Sequence, residues 1–157
     1  MIFPTRGDII GLNRYHIEHT GGLYQGIENL LNPGSLEWVL DAIQYPLFGV
    51  DFYPTLVAKA ALLTWTIIAG HVFHDGNKRT GASILQIFLR RNGYDITASD
   101  DELIEVALKV AESSEENFTV EDLTQWIGHR LCLRPNVGFD LNLTLHTPVA
   151  FKVAATQ

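Results

Sequence analysis

Apolar positions recur every three to four residues along most of this chain, the period of helices with one buried face. The first such stretch covers residues 8–19 and is stopped by Gly21 and Gly22. Ser35 reads as the N-cap of a short helix to residue 43, anchored by Trp38, Leu40 and Ile43. Residues 45–54 carry two prolines, a glycine and several aromatic side chains, which suits an extended flap or loop better than a helix.

Thr55 then caps a continuous apolar run over residues 56–69, rich in alanine and leucine. Hydrophobicity without a polar stripe predicts a central helix buried on most faces. A second helix is expected over residues 77–91, burying Ile84, Leu85 and Phe88, with Gly93 after Asn92 as a left-handed C-cap. Ser99 and Glu102 have capping-box spacing, and Leu103, Val106, Ala107 and Val110 follow at helical intervals. Thr119 and Asp122 open a last helix in the same way, with Leu123, Trp126 and Ile127 turned inward. Residues 141–146 alternate apolar and polar side chains, the mark of a short strand. One strand needs a partner, either the flap or a second chain in a homodimer; the competing reading is a frayed tail. The pattern as a whole predicts an all-α protein, with no internal repeat and no linker that divides it.

Composition narrows the class. A chain of 157 residues suffices for one core without disulfides or metals. The lone Cys132 has no internal partner, and the first residues lack the basic start and apolar core of a signal peptide, so a cytoplasmic protein is expected. The most apolar run, residues 60–70, carries two threonines and is too short for a bilayer, so no membrane association is expected. A net charge of −7 speaks against nucleic-acid binding, which needs many phosphate-neutralising cations. Acid is concentrated over residues 95–122, where Lys109 is the lone base; a solvated helical face is the plainer account, a docking surface for a basic partner the other.

Chemistry is concentrated at the junction of the two central helices, in His71-Val72-Phe73-His74-Asp75-Gly76-Asn77-Lys78-Arg79-Thr80-Gly81. The first N–H groups of a helix lack intrahelical partners and carry the positive end of its dipole. Gly76 lets the backbone approach a phosphate, and Asn77, Lys78 and Arg79 add side-chain donors. Asp75 is a hard oxygen ligand of the kind that shares Mg²⁺ with phosphate oxygens. His71, just upstream, is a proton acceptor for an attacking hydroxyl. Taken singly, each residue has a duller account: a helix-capping histidine, an ordinary Asp-Gly-Asn turn, a solvated Lys-Arg pair, and Phe73 as a core anchor. A zinc site from His71, His74 and Asp75 lacks further His or Cys ligands at suitable spacing, and His16 and His19 read as core or surface side chains.

The eleven-residue stretch resembles the motif of the Fic/Doc family, His-x-Phe-x-Asp/Glu-Gly-Asn-Gly/Lys-Arg. Asp75 to Arg79, followed by Phe88-Leu89-Arg90-Arg91-Asn92-Gly93-Tyr94, is similar to the death-on-curing (Doc) branch of bacterial toxins. The likeness extends from His16 and the Gly21-Gly22 pair to Ala111, Glu112 and Trp126, so residues 1–134 are expected to form the Fic/Doc domain and 135–157 a tail. The resemblance implies a compact helical bundle with the motif in a loop between two central helices. It implies His71 as catalytic base, Asp75 as Mg²⁺ ligand, and Gly76, Asn77, Lys78 and Arg79 around the phosphates of ATP. By the same likeness Val50, Asp51, Phe52 and Tyr53 belong to a flap that aligns a target polypeptide.

Two departures steer the expected reaction. Members that transfer AMP have Gly where this chain has Lys78 and a second Arg where it has Ala82. The Doc branch shares the lysine and passes the γ-phosphate of ATP to a Ser or Thr hydroxyl, with elongation factor Tu as the type of target and arrest of translation as the result. AMP transfer, or a binding module without turnover, are the alternatives. The inhibitory helix of many Fic proteins requires Ser/Thr four residues before a glutamate followed by Gly or Asn. Glu28-Asn29 and Glu116-Asn117 have Tyr24 and Glu112 at that position. The resemblance therefore implies an antitoxin acting in trans.

Overall fold

Six helices and one small sheet account for residues 1–134, the part of the chain that the computed structural model describes. The helices are α1 (Arg6–Thr20), α2 (Pro33–Gln44), α3 (Leu56–Ala69), α4 (Asn77–Arg91), α5 (Asp100–Ala111) and α6 (Val120–Arg130). Strands β1 (Tyr94–Ile96) and β2 (Leu131–Leu133) pair antiparallel, Asp95 opposite Cys132. The expectation of a mostly helical protein holds, and α3 and α4 span the residues read for them. The strand expected over residues 141–146 lies outside the described residues. No helix among them is long and apolar enough to cross a membrane.

α3 is the hub. It packs most extensively against α4 and also meets α2, α5 and α6. Its Ala60, Ala61, Leu63 and Ile67 are wholly buried, as a run without a polar stripe requires. Gly81 of α4 permits a close approach of the two helices, since a Cβ there would sit 2.5 Å from Cγ1 of Ile68. Thr5, Thr55, Ser99 and Thr119 each cap a helix through the side chain. Thr5–Asp8 and Thr119–Asp122 form reciprocal capping boxes that start α1 and α6.

Three local expectations are corrected. α2 begins two residues before Ser35, with Asn32 at the N-cap and Pro33 at its first turn, where the fixed φ of proline is already helical. That start turns Leu36, Val39, Leu40 and Ile43 inward and leaves Trp38 48% exposed rather than anchoring the core. Trp126 is only half-buried, its ring lying 4.3 Å beneath the Arg130 guanidinium while Leu123 and Ile127 face inward. The third is the β1–β2 pair, whose three-residue strands are too short for a period-two pattern to show.

Candidate active site

α3 ends at Gly70, and His71 follows with φ 46°, a left-handed backbone that swings the chain out of the helix. Nδ2 of Asn32 donates to the carbonyls of Gly70 (3.1 Å), the C-cap of α3, and of His71 (2.9 Å) just beyond it. This occupation explains why Asn32 caps no N–H of α2. Leu31 and Asn32 both donate through their backbone N–H to the carbonyl of Val72, and Leu30 and Phe73 form a bridge. The turn after α3 is thus clamped from outside by the segment before α2, while Phe73 fills the core beneath it. The His71 side chain stays exposed at the rim.

The amide of Asn77 closes the turn on itself. Its Oδ1 accepts from Phe73 N–H and its Nδ2 donates to Phe73 C=O, both at 2.8 Å. Gly76, the N-cap of α4, has φ 80°, and no side chain caps this helix. Any other residue at 76 would be strained by that backbone and would bring a Cβ 2.9 Å from Nδ2 of Asn13. The first N–H groups of α4 are thus left without a side-chain cap, and Asn77, exposed Lys78 and Arg79 of that turn line a cavity.

Asp75 accepts from Leu23 N–H at Oδ2 (2.9 Å) and from Gly76 N–H at Oδ1 (2.8 Å), and its side chain is 44% exposed. Partial burial works against its charge. The two N–H bonds and the cations of Arg79 and Lys78 outweigh that effect and hold the carboxyl below the usual aspartate range. Each oxygen keeps a lone pair, so the group suits a cation shared with phosphates. Among the described residues no three His, Cys, Asp or Glu side chains converge as a metal cluster. One carboxylate beside an anion cradle fits Mg²⁺, which keeps most of its waters; it does not fit zinc. Arg79 is more committed than its place in the motif suggests. Its NH1 donates to the Gly21 carbonyl (2.9 Å) and to Oγ1 of Thr20, at the C-terminus of α1, and its NH2 lies 3.9 Å from Asp75.

These groups line one cavity of about 430 Å³, with His71, Asp75, Gly76, Asn77, Lys78 and Arg79 on its wall. Thr20, Gly21, Ile68, His74 and Ala111 complete it, contributed by the end of α1, by α3, by the motif turn and by the end of α5. The four flap residues do not line it. Val50 and Phe52 are exposed, and Val50 pairs with Leu47 across a tight turn. Asp51 bonds Tyr53 N–H and reaches Nζ of buried Lys59 at 3.5 Å. Sequence alone gave no role to Asn13, and weighed Asn29 only in the Glu28-Asn29 pair; both are buried beneath the turn. Their available signal was position: Asn13 falls on the same face of α1 as Ile9 and Ile17.

A model of the Fic/DOC family matches residues 3–89, more than half of the chain. The chain is also similar to a protein called Toxin Doc in Mycolicibacterium smegmatis, 35% identical over 82 residues, 48% of this chain and 63% of that protein. It is similar as well to Protein kinase doc of Escherichia phage P1, 30% identical over 94 residues, 60% of this chain and 71% of that protein. The match with the first of these spans less than two thirds of its length.

Proposed function

The chain belongs to the Fic/DOC family, and on that premise we propose that it is a Doc-like toxin that transfers the γ-phosphate of ATP to a Ser or Thr hydroxyl of a protein. The observation that carries the reading is one cavity walled by the exposed His71, the Asp75 carboxylate and the uncapped first turn of α4 with Lys78. His71 takes the proton of the acceptor hydroxyl as its oxygen bonds the γ-phosphorus. The bond from that phosphorus to the β,γ-bridging oxygen breaks, and ADP leaves. The α4 N–H groups and Lys78 hold the phosphates in line for this displacement, acting through charge and position. Asp75 would hold Mg²⁺, which when bound neutralises the charge of the phosphate oxygens. The name of the Mycolicibacterium smegmatis protein supports a toxin, and the name of the phage protein supports a kinase. Lys78 and Ala82 favour phosphate over nucleotide transfer. Elongation factor Tu is the proposed acceptor, and an antitoxin in trans the proposed partner.

Parallel labelling decides the reaction. The protein is incubated with bacterial lysate, and with purified elongation factor Tu, using ATP labelled at the γ- or the α-phosphate, with His71→Ala as control. Label from γ alone, lost in the variant, is the expected result. Label retained from α would replace this reading by nucleotidyl transfer, and no label from either would favour the binding module.

A further inference from the structure

Beneath the motif turn α1 carries a polar stripe of buried Asn13 and His16 and exposed Thr20, three, four and seven residues apart and so on one helix face. Asn13 is wholly buried, yet its amide is fully used. Nδ2 donates to the carbonyl of Asp75 (2.8 Å) and to Oγ1 of Thr80 (3.2 Å), and Oδ1 accepts from Nδ2 of Asn29 (3.0 Å). Asn29, 1% exposed, accepts from Gln25 N–H through its side chain and from His74 N–H through its own carbonyl. The main chain is thereby held on both sides of Asp75, at the N–H of His74 by the Asn29 carbonyl and at the carbonyl of Asp75 by the Asn13 amide, with Nδ2 of Asn29 at 3.4 Å from the same carbonyl.

Burying an amide is costly unless every donor and acceptor is matched, and a core position of this kind is ordinarily apolar. The expenditure falls at one peptide unit, that between Asp75 and the left-handed Gly76. Fixing its plane fixes the direction in which the Asp75 carboxylate leaves the chain and the direction of the first α4 N–H groups. We infer that Asn13, braced by Asn29, is a positioning residue of the transfer site: it sets the Asp75–Gly76 peptide, and through it the Asp75 carboxylate and the phosphate-binding turn. The inference rests on the proposed phosphoryl-transfer reading, since it assigns Asn13 a part in presenting Mg²⁺ and ATP. It departs from a plain stability role in one respect. Its effect passes through Asp75, so Mg²⁺ dependence carries its signature.

The test compares Asn13→Leu with Thr80→Val, which deprives Nδ2 of Asn13 of its second acceptor and leaves the Asp75 carbonyl bonded. Calorimetric binding of ATP across a Mg²⁺ series, thermal unfolding and γ-phosphate transfer are measured for each. For Asn13→Leu the Mg²⁺ concentration at half-maximal ATP binding should rise tenfold or more, with the far-UV spectrum unchanged. For Thr80→Val the melting temperature should fall while that concentration stays within twofold of the wild type. Equal Mg²⁺ dependence in Asn13→Leu and wild type, or equal changes in both variants, would overturn the assignment. If Asn13→Leu does not fold, Asn29→Gly keeps the left-handed backbone at 29 (φ 57°) and its carbonyl bond to His74 N–H, while it removes the side-chain bonds to Asn13, to the Asp75 carbonyl (3.4 Å) and to Gln25 N–H. It should raise the same concentration at least threefold, and no change would likewise refute the assignment. A wild type that binds Mg²⁺ and ATP without transferring phosphate refutes the kinase reading alone, because the binding series still reports on Asn13.

Discussion

His71 and Asn77 stand six residues apart, and the fold uses them oppositely. The His71 side chain is exposed at the cavity rim, so His71→Ala should abolish labelling of the acceptor and leave the melting temperature within a degree or two. Asn77 bonds both backbone groups of Phe73. Asn77→Ala should lower transfer and also cost about 1–3 kcal/mol, the cost of leaving that partly buried N–H and C=O unmatched. Denaturant unfolding separates the two cases, and equal stability of the variants would refute the division. Residue types and spacing made the motif legible because its chemistry is contiguous in the chain. They left Asn77 and Arg79 as phosphate donors alone, since the acceptors they find at Phe73, Thr20 and Gly21 are main-chain groups and a hydroxyl that no side-chain pattern reports. Asn13 and Asp75 lie 62 residues apart and meet only because α1 packs along α4.

Helix boundaries follow local chemistry wherever a side chain does the capping. Thr55, Ser99 and Thr119 each cap as their spacing predicts. α2 departs because Asn32 is drawn to the Gly70 and His71 carbonyls, a tertiary demand that outcompetes capping, and Pro33 starts the helix instead. The α3–α4 contact depends on one small residue. Gly81→Ala places a Cβ 2.5 Å from Cγ1 and 2.7 Å from Cδ1 of Ile68, which is 1% exposed and has little room to move. The variant should lose about 1–3 kcal/mol despite alanine's better helix propensity. Transfer should weaken as well, because this contact lies between the two helices that carry the motif. An unchanged urea midpoint would mean that Ile68 repacks freely.

The molecule as a whole should be acid-sensitive through a group with no part in the proposed transfer. His16 is buried against Ser83, with Nε2 2.8 Å from its hydroxyl. Burial, and then the charges of Arg79 and His19, push its pKa down from 6.5 to about 4. The unfolded imidazole binds its proton near pH 6.5 while the folded one stays neutral, so stability is complete above that pH and falls as pH drops toward 4. The loss across the window is on the order of 3 kcal/mol, and urea midpoints at pH 7.5 and 4.5 measure it. His16→Gln, which has no titrating group, should flatten that interval; an undiminished slope would assign the sensitivity elsewhere. Below the window Asp75 adds to the loss, its pKa lying below the usual carboxylate range. Residues close together in the chain were enough to give the helical class, the placement of the two central helices and the set of polar side chains carried by the turn between them. Each of those depends on residues within a few positions of one another. Tertiary structure alone decided which side chains serve the turn and which face the cavity, where α2 begins, and that β1 and β2 pair. Those outcomes depend on hydrogen-bond partners and packing surfaces brought together from distant parts of the chain, which local periodicity does not encode.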